Sequence, residues 1–409
     1  MNGNGGEKMR IYIVIVGFLC TMWLHASESV DIKWQSNKNC EACHQEISGK
    51  WETSRHANSH FSKNDLFKKS LEYIVQKNPT RILDELKVEC AQCHNPRLAK
   101  SSMSDEEKVG LLLGDTDTKE NFNSMLNNKN MKNGINCVVC HNVDKIHLNK
   151  SKGSQGMHSI TFGKQGTMFG PFSDAVSSYH KTQKRDHFVG NDPKLCFACH
   201  YSMKNKHGVE VYATGKEYDA FSKNKEGCKD CHMSKKREGF ASNHAAVGKK
   251  PKKRMVRTHR FASVDNSNIL NDYVDIKSKT KGNNFIITLK NRTPHKIPTG
   301  YGLREILLKV TFLDKNDKVI GKTSYTLGVT WKDEQGAVTI PHLAKKVVRD
   351  TRMKGKSTVA YKFPITKGAV YAKYSFSYRL ISEGLAKTIG VTDAFFLREY
   401  TFFEQRVHL

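Results

Sequence analysis

Apolar side chains are scarce in this chain. They make up 38% of 409 residues, and the mean hydropathy of −0.59 is low for a protein built round one large aliphatic core. That leaves two readings: extensive disorder, or an interior filled by something other than peptide. Acidic residues are also in short supply, 40 Asp+Glu against 67 Lys+Arg, for a formal charge of +27. Such an excess is either a solvated basic surface or a surface for an anionic partner. The apolar run from Ile11 to about Leu24 is too short and too interrupted for a comfortable membrane span.

That run follows Lys8 and Arg10 and precedes His25-Ala26-Ser27-Glu28. A basic start, a short apolar centre and small residues at the cut predict a signal peptide over 1–26. Cys20, behind Phe18-Leu19, goes with the discarded segment. Export argues against nucleic acid as the anionic partner and predicts a periplasmic location; an uncleaved anchor is the alternative.

No regular repeat organises the rest. Between Cys40 and His232 the chain shows short helical patterns and no sustained alternation. Asp65 to Gln76 predicts a helix with Leu66, Phe67, Leu71, Ile74 and Val75 on one face. Ser104-Asp105-Glu106 opens another, with a serine cap and an acidic first turn. Beyond about residue 264 the period becomes two. Ile306 to Phe312, Tyr325 to Trp331, Val359 to Ile365 and Val370 to Leu380 all alternate, which predicts antiparallel strands in a β-sandwich, immunoglobulin-like in class. The expected architecture is multidomain α+β: a helical and irregular domain over 27–264, then an all-β domain over 265–409 that has no cysteine. Lys249 to Arg257 reads as a solvated linker, a docking patch for an acidic partner, or a contact for acidic groups of a cofactor.

Ten of the 11 cysteines fall in one pattern. Cys40-x-x-Cys43-His44, Cys90-x-x-Cys93-His94, Cys137-x-x-Cys140-His141, Cys196-x-x-Cys199-His200 and Cys228-x-x-Cys231-His232 are all C-x-x-C-H, the attachment site of c-type haem. Two thiols at that spacing reach the two vinyl groups of one porphyrin, and the adjacent imidazole meets the iron as proximal ligand. Zinc knuckles do not require a histidine after each second cysteine, a thioredoxin-like pair occurs once per fold, and a disulfide across two residues is strained. Five motifs predict five covalently attached haems, which would themselves form the core of residues 30 to 262.

Function then turns on the sixth ligand. Iron with histidine on both faces exchanges electrons; iron with a free face binds small molecules. Twelve further histidines follow the leader: His56, His60, His147, His158, His180, His187, His207, His244, His259, His295, His342 and His408. The supply suffices for complete bis-histidine ligation.

Trp51-Glu-Thr-Ser54-Arg-His56-Ala57, soon after the first motif, resembles multihaem cytochromes of the cytochrome c-554 (c-prime) type. Gly170-Pro-Phe-Ser-Asp-Ala175 with His180 and His187, Gly227 to Met233, and His259-Arg-Phe261 are similar to the same group. Asn291-Arg-Thr-Pro-His295-Lys-Ile-Pro298-Thr299-Gly300 resembles a turn in multihaem cytochromes that carry a C-terminal β-sandwich. The resemblance implies electron carriage, mainly through bis-histidine haems, with one five-coordinate haem in the c-554 proteins. Those have four haems and no comparable β-domain, whereas this chain has five motifs and a sandwich. Matching to the family gives His56, His147, His187 and His259 as leading distal ligands and His180 as the fifth, with His147 chosen on position alone. On one helix His180 and His187 would share a face, and His60 would be a substitute for His56. His158, His207, His244 and His295 read as solvated or structural, and Met233 as packing.

The expectation is a periplasmic electron carrier with redox partner proteins, namely a quinol-oxidising membrane cytochrome or a periplasmic reductase. In that reading the β-domain docks or caps and holds no chemistry. The alternatives are a multihaem reductase of a small nitrogen or sulfur compound at one open haem, and a structural haem subunit of a respiratory complex. No C-x-x-C-K occurs, which counts against one class of pentahaem nitrite reductase and leaves other reductases open.

Overall fold

The structure, a computed structural model, describes residues 36–98, 100–221, 226–243 and 251–409. The leader with Cys20, His244, Lys249 and Lys250 lie outside the described residues.

Among the described residues, nine α-helices carry the first part: α1 (Asn37–Glu52), α2 (Asp65–Lys77), α3 (Leu83–His94), α4 (Asp105–Leu113), α5 (Thr116–Asn127), α6 (Cys137–His141), α7 (Lys194–His200), α8 (Thr214–Phe221) and α9 (Cys228–His232). Local chemistry sets their ends. Asn64 caps α2 by accepting from the Phe67 N–H, and Asp65 adds charge to the first turn. Ser104 and Glu107 form a reciprocal capping box on α4, which Gly114 closes at φ 80°. Asn136 caps α6 through the N–H groups of Val138 and Val139.

Short ladders absent from the sequence pattern tie the helices together: β1 (Val143–Ile146) with β2 (Ile160–Phe162), β3 (Thr167–Gly170) parallel to β4 (Lys181–Lys184), β5 (Met203–Lys204) with β6 (Glu210–Tyr212), and β7 (Arg237–Phe240) with β8 (Lys253–Val256). Strands of two to four residues are too short to print a period. The basic stretch read as a linker is thus partly a strand. Within it, Arg254 meets Asp174 at 2.6 Å and Arg257 meets Asp230 at 2.6 Å. His180 and His187 do not share a helix; β4 lies between them.

A short helix α10 (Ile269–Tyr273) leads into the β region: β9 (Val274–Lys281), β10 (Asn284–Asn291), β11 (Glu305–Leu313), β12 (Val319–Leu327), β13 (Val329–Lys332), β14 (Val338–Thr339), β15 (Lys346–Asp350), β16 (Thr358–Pro364), β17 (Tyr371–Arg379) and β18 (Tyr400–His408). The sheet β16-β10-β9 faces the sheet β12-β11-β17-β18, and a third, β14-β13-β15, stands beside them. The alternation in β17 puts Ala372, Tyr374 and Phe376 inside, each 1% exposed or less, opposite Phe312, Val310 and Leu308 of β11. Phe285 of β10 closes the sandwich, its ring 5.5 Å from Tyr374 and 6.5 Å from Phe312. One expected strand divides: Tyr325 to Trp331 breaks after Leu327, because Gly328 hands the chain from one sheet to another while its N–H is held by Thr351 Oγ1 at 3.0 Å.

The β region shares its apolar core with α2 and α3 through Leu66, Leu71, Tyr73, Ile74 and Leu86. The remaining apolar clusters of the helical part are small: one around Val88, Phe122 and Leu126, another of little more than Cys40 and Val138. Between these islands runs a cavity of about 1600 Å³, well above the ~300–1,000 Å³ of an ordinary ligand pocket.

Candidate functional site

Each attachment motif lies on a helical turn: inside α1, at the C-terminal ends of α3 and α7, and as the whole of α6 and α9. On a helix, positions three and four apart share a face, so both thiols and the imidazole of a motif point one way. In α1 the helix bends at the histidine itself (His44, φ −111°, ψ 40°). All five motif imidazoles and nine of the ten paired thiols, Cys43 being the exception, line the one cavity.

Four motif imidazoles each face an imidazole from elsewhere in the chain. His44 and His180 have ring centroids 6.4 Å apart, His200 and His56 6.1 Å, His141 and His259 6.1 Å, and His232 and His295 6.5 Å. With metal–imidazole bonds of about 2 Å, two rings on opposite faces of one iron have centroids about 6 Å apart. The donor set and its spacing therefore fit haem. Backbone carbonyls tie the inner ring nitrogens: Nδ1 of His44 to Ala241 O at 2.5 Å, of His141 to Phe169 O at 2.7 Å, of His232 to Ala262 O at 2.9 Å and of His295 to Lys296 O at 2.9 Å. With its proton on Nδ1, each ring keeps Nε2 free for a metal. Burial, with some repulsion between neighbouring imidazoles, lowers His56 to about 3 and His200, His259 and His295 to about 4. These rings are neutral at pH 7, as ligation requires.

The second motif differs. His94 Nδ1 donates to Ser59 O at 3.1 Å, and its ring stacks on Phe67 at 4.0 Å. The wall of the same cavity also carries Tyr301 and His342. Burial first and His94 second lower His342 to about 4.

Of the sequence-predicted distal ligands, His56, His180 and His259 stand opposite motif histidines. His147 does not: it sits on the surface with Nε2 at 2.8 Å from Thr161 Oγ1. His187 is buried beside Phe188, with Nε2 lacking a hydrogen-bond partner, yet it does not line the cavity. His60 is no substitute for His56, since Ser62 and Leu126 O occupy both its nitrogens. The residues missed from sequence are His295, Tyr301 and His342. The β region read as inert supplies a wall of the cavity, and the signal that could have shown it was the proline- and glycine-bounded turn around His295.

Adjacent sites lie close together. Thiols of different motifs are neighbours: Cys40 of Cys137, Cys93 of Cys199, and Cys196 of Cys228. Phe261 sits between His56 and His259, 4.4 and 6.2 Å from their rings.

A seam of polar contacts fixes the two parts of the chain. Glu217 of α8, only 6% exposed, accepts from Lys296 N–H at 3.2 Å, Thr299 Oγ1 at 2.7 Å and Arg352 Nη1 at 3.1 Å, and so holds the turn that carries His295. Asn205 Nδ2 donates to Pro341 O at 2.8 Å and Ala344 O at 2.7 Å, which holds the turn that carries His342.

The family described as cytochrome c554 and c-prime matches residues 39–115. Among solved structures, the chain is similar to a penta-heme cytochrome c552 from Thermochromatium tepidum, with a TM-score of 0.66 and 18% identity over 94% of this chain and 100% of that one. No curated protein matches the sequence. Five attachment motifs turned into one cavity, a family match over the first two of them and a fold shared along nearly the whole length with a penta-heme cytochrome support a multihaem c-type cytochrome, whose paired thiols would hold haem c.

Proposed function

We propose that this chain holds five haems and serves as an exported electron carrier between a membrane or periplasmic donor and a terminal reductase. One observation carries the reading: four motif imidazoles each face a second imidazole at 6.1–6.5 Å. Haem iron supplies reversible one-electron exchange when bound in such a site. The chain's part is to present neutral imidazoles on both faces, exclude water and keep neighbouring sites in contact. The leader-like start and the excess of basic residues support export and an acidic redox partner. Among the described residues, no helix is long and apolar enough to cross a membrane.

A reductase would need an iron with one free face. The second site is where it would be, because among the described residues no imidazole faces His94 at the spacing of the other four. Mass spectrometry of the exported protein tests haem content, and ferric spectroscopy with nitrite, hydroxylamine, cyanide and carbon monoxide tests the carrier. Five added haems and signals indifferent to those ligands are expected. A chain without haem would end the reading, and a high-spin signal that responds to the ligands would favour the reductase.

A further inference from the structure

His342 lies on the turn Pro341–Leu343, and its Nδ1 is 3.3 Å from the Tyr301 hydroxyl oxygen. That contact engages Nδ1 and leaves Nε2 as the nitrogen available to a metal. Three of the four facing histidines, His180, His259 and His295, likewise have Nδ1 engaged, there by a backbone carbonyl. Asn205 pins both carbonyls flanking the turn, so the ring is held from both parts of the molecule.

The alternatives at this site are spoken for. Among the described residues, His207 lines the same cavity but points Nε2 at Glu334, 3.3 Å away. His60 has both nitrogens engaged, His158 and His408 are exposed, and His187 lies off the cavity.

On the reading that this chain binds haem at all five motifs, we infer that His342, held by Tyr301 and by Asn205 on its turn, is the distal ligand of the second site, so that the β region closes two of the five irons and none is left open. The β region is then a ligand donor, and the chain is a carrier without a substrate-binding iron.

The test uses the full chain, exported and matured with haem. Low-temperature electron paramagnetic resonance of the ferric wild type is expected to show only low-spin iron. His342→Ala should convert one iron in five to high spin, bind carbon monoxide at that iron alone when reduced, and return to low spin with added imidazole. His147→Ala should change nothing. If His342→Ala fails to mature, the wild type decides: a high-spin, carbon monoxide-binding fifth of its iron overturns the inference. So does a mature His342→Ala protein with the wild-type spectrum. Haem content read by mass separates the two failures, since five haems with one open iron sinks only this inference, and absent haem sinks the function it rests on.

Discussion

Replacing Arg352 by methionine should cost more than any other single surface-to-seam change, because it strands a buried carboxylate. Glu217 is 6% exposed, and among the described residues Arg352 is its one charged partner, at 3.1 Å. Arg352 is itself clamped two-pronged by Asp350, at 2.9 and 2.8 Å, so it arrives pre-oriented. Breaking a buried pair from one side costs about 3–5 kcal/mol. The Lys296 N–H and the Thr299 hydroxyl still solvate Glu217 in the variant, which places the loss near the lower figure, about 3 kcal/mol. At roughly 2–4 °C per kcal/mol for a β domain of this size, calorimetry of the haem-loaded protein should show a fall of about 6–12 °C. The same turn carries His295, so part of one iron's low-spin signal should be lost as well. Changing both partners, Glu217→Leu with Arg352→Met, removes the stranded charge and should recover most of the melting temperature. A single variant melting within a degree of wild type, or a double variant less stable than either single, would refute the reasoning.

Asp350 predicts an acid limb. Burial pushes it up, but the hydrogen bonds and charge of Arg352 and the charge of Lys296 outweigh this and hold it at about 2. Its contribution is therefore whole above the unfolded value of about 4 and is lost as pH falls through about 2. Discounted for the 29% exposure of its side chain, the effect is about 1 kcal/mol, and melting curves of Asp350→Asn should be flatter than wild type between pH 4 and 2. His295→Ala should open one iron in five to carbon monoxide, with added imidazole restoring its low-spin spectrum. Leu308→Ala, fully buried at the centre of β11, should cost about 3 kcal/mol in denaturant titrations while leaving the haem spectra unchanged.

The motifs and the longer elements were legible because their signals are local. A helix of 13 residues prints its period, and so does a nine-residue strand such as β17. The attachment sites were legible for the same reason, being five consecutive residues. Of the facing histidines, His56, His180 and His259 were reached only through family likeness, and His295 was not reached at all. His295 stands 63 residues from His232, and His342 248 residues from His94, so no spacing rule links them. His147 illustrates the converse, since six residues from His141 in sequence it turns outward on β1's trailing edge to meet Thr161. His180 was found by family likeness, although the helix expected to carry it is absent. The small ladders β1 to β8 escaped because two to four residues hold less than two full alternations.

The contacts between thiols of different motifs constrain how the protein is made. Cys40 reaches Cys137, Cys93 reaches Cys199 and Cys196 reaches Cys228 only once the chain has closed. In an oxidising compartment such neighbours cross-link, and each cross-link would take a sulfur from two attachment sites at once. If the chain matures in such a compartment, thioether formation would have to reach each motif while the chain is still open, and folding would lock in whatever had already been modified.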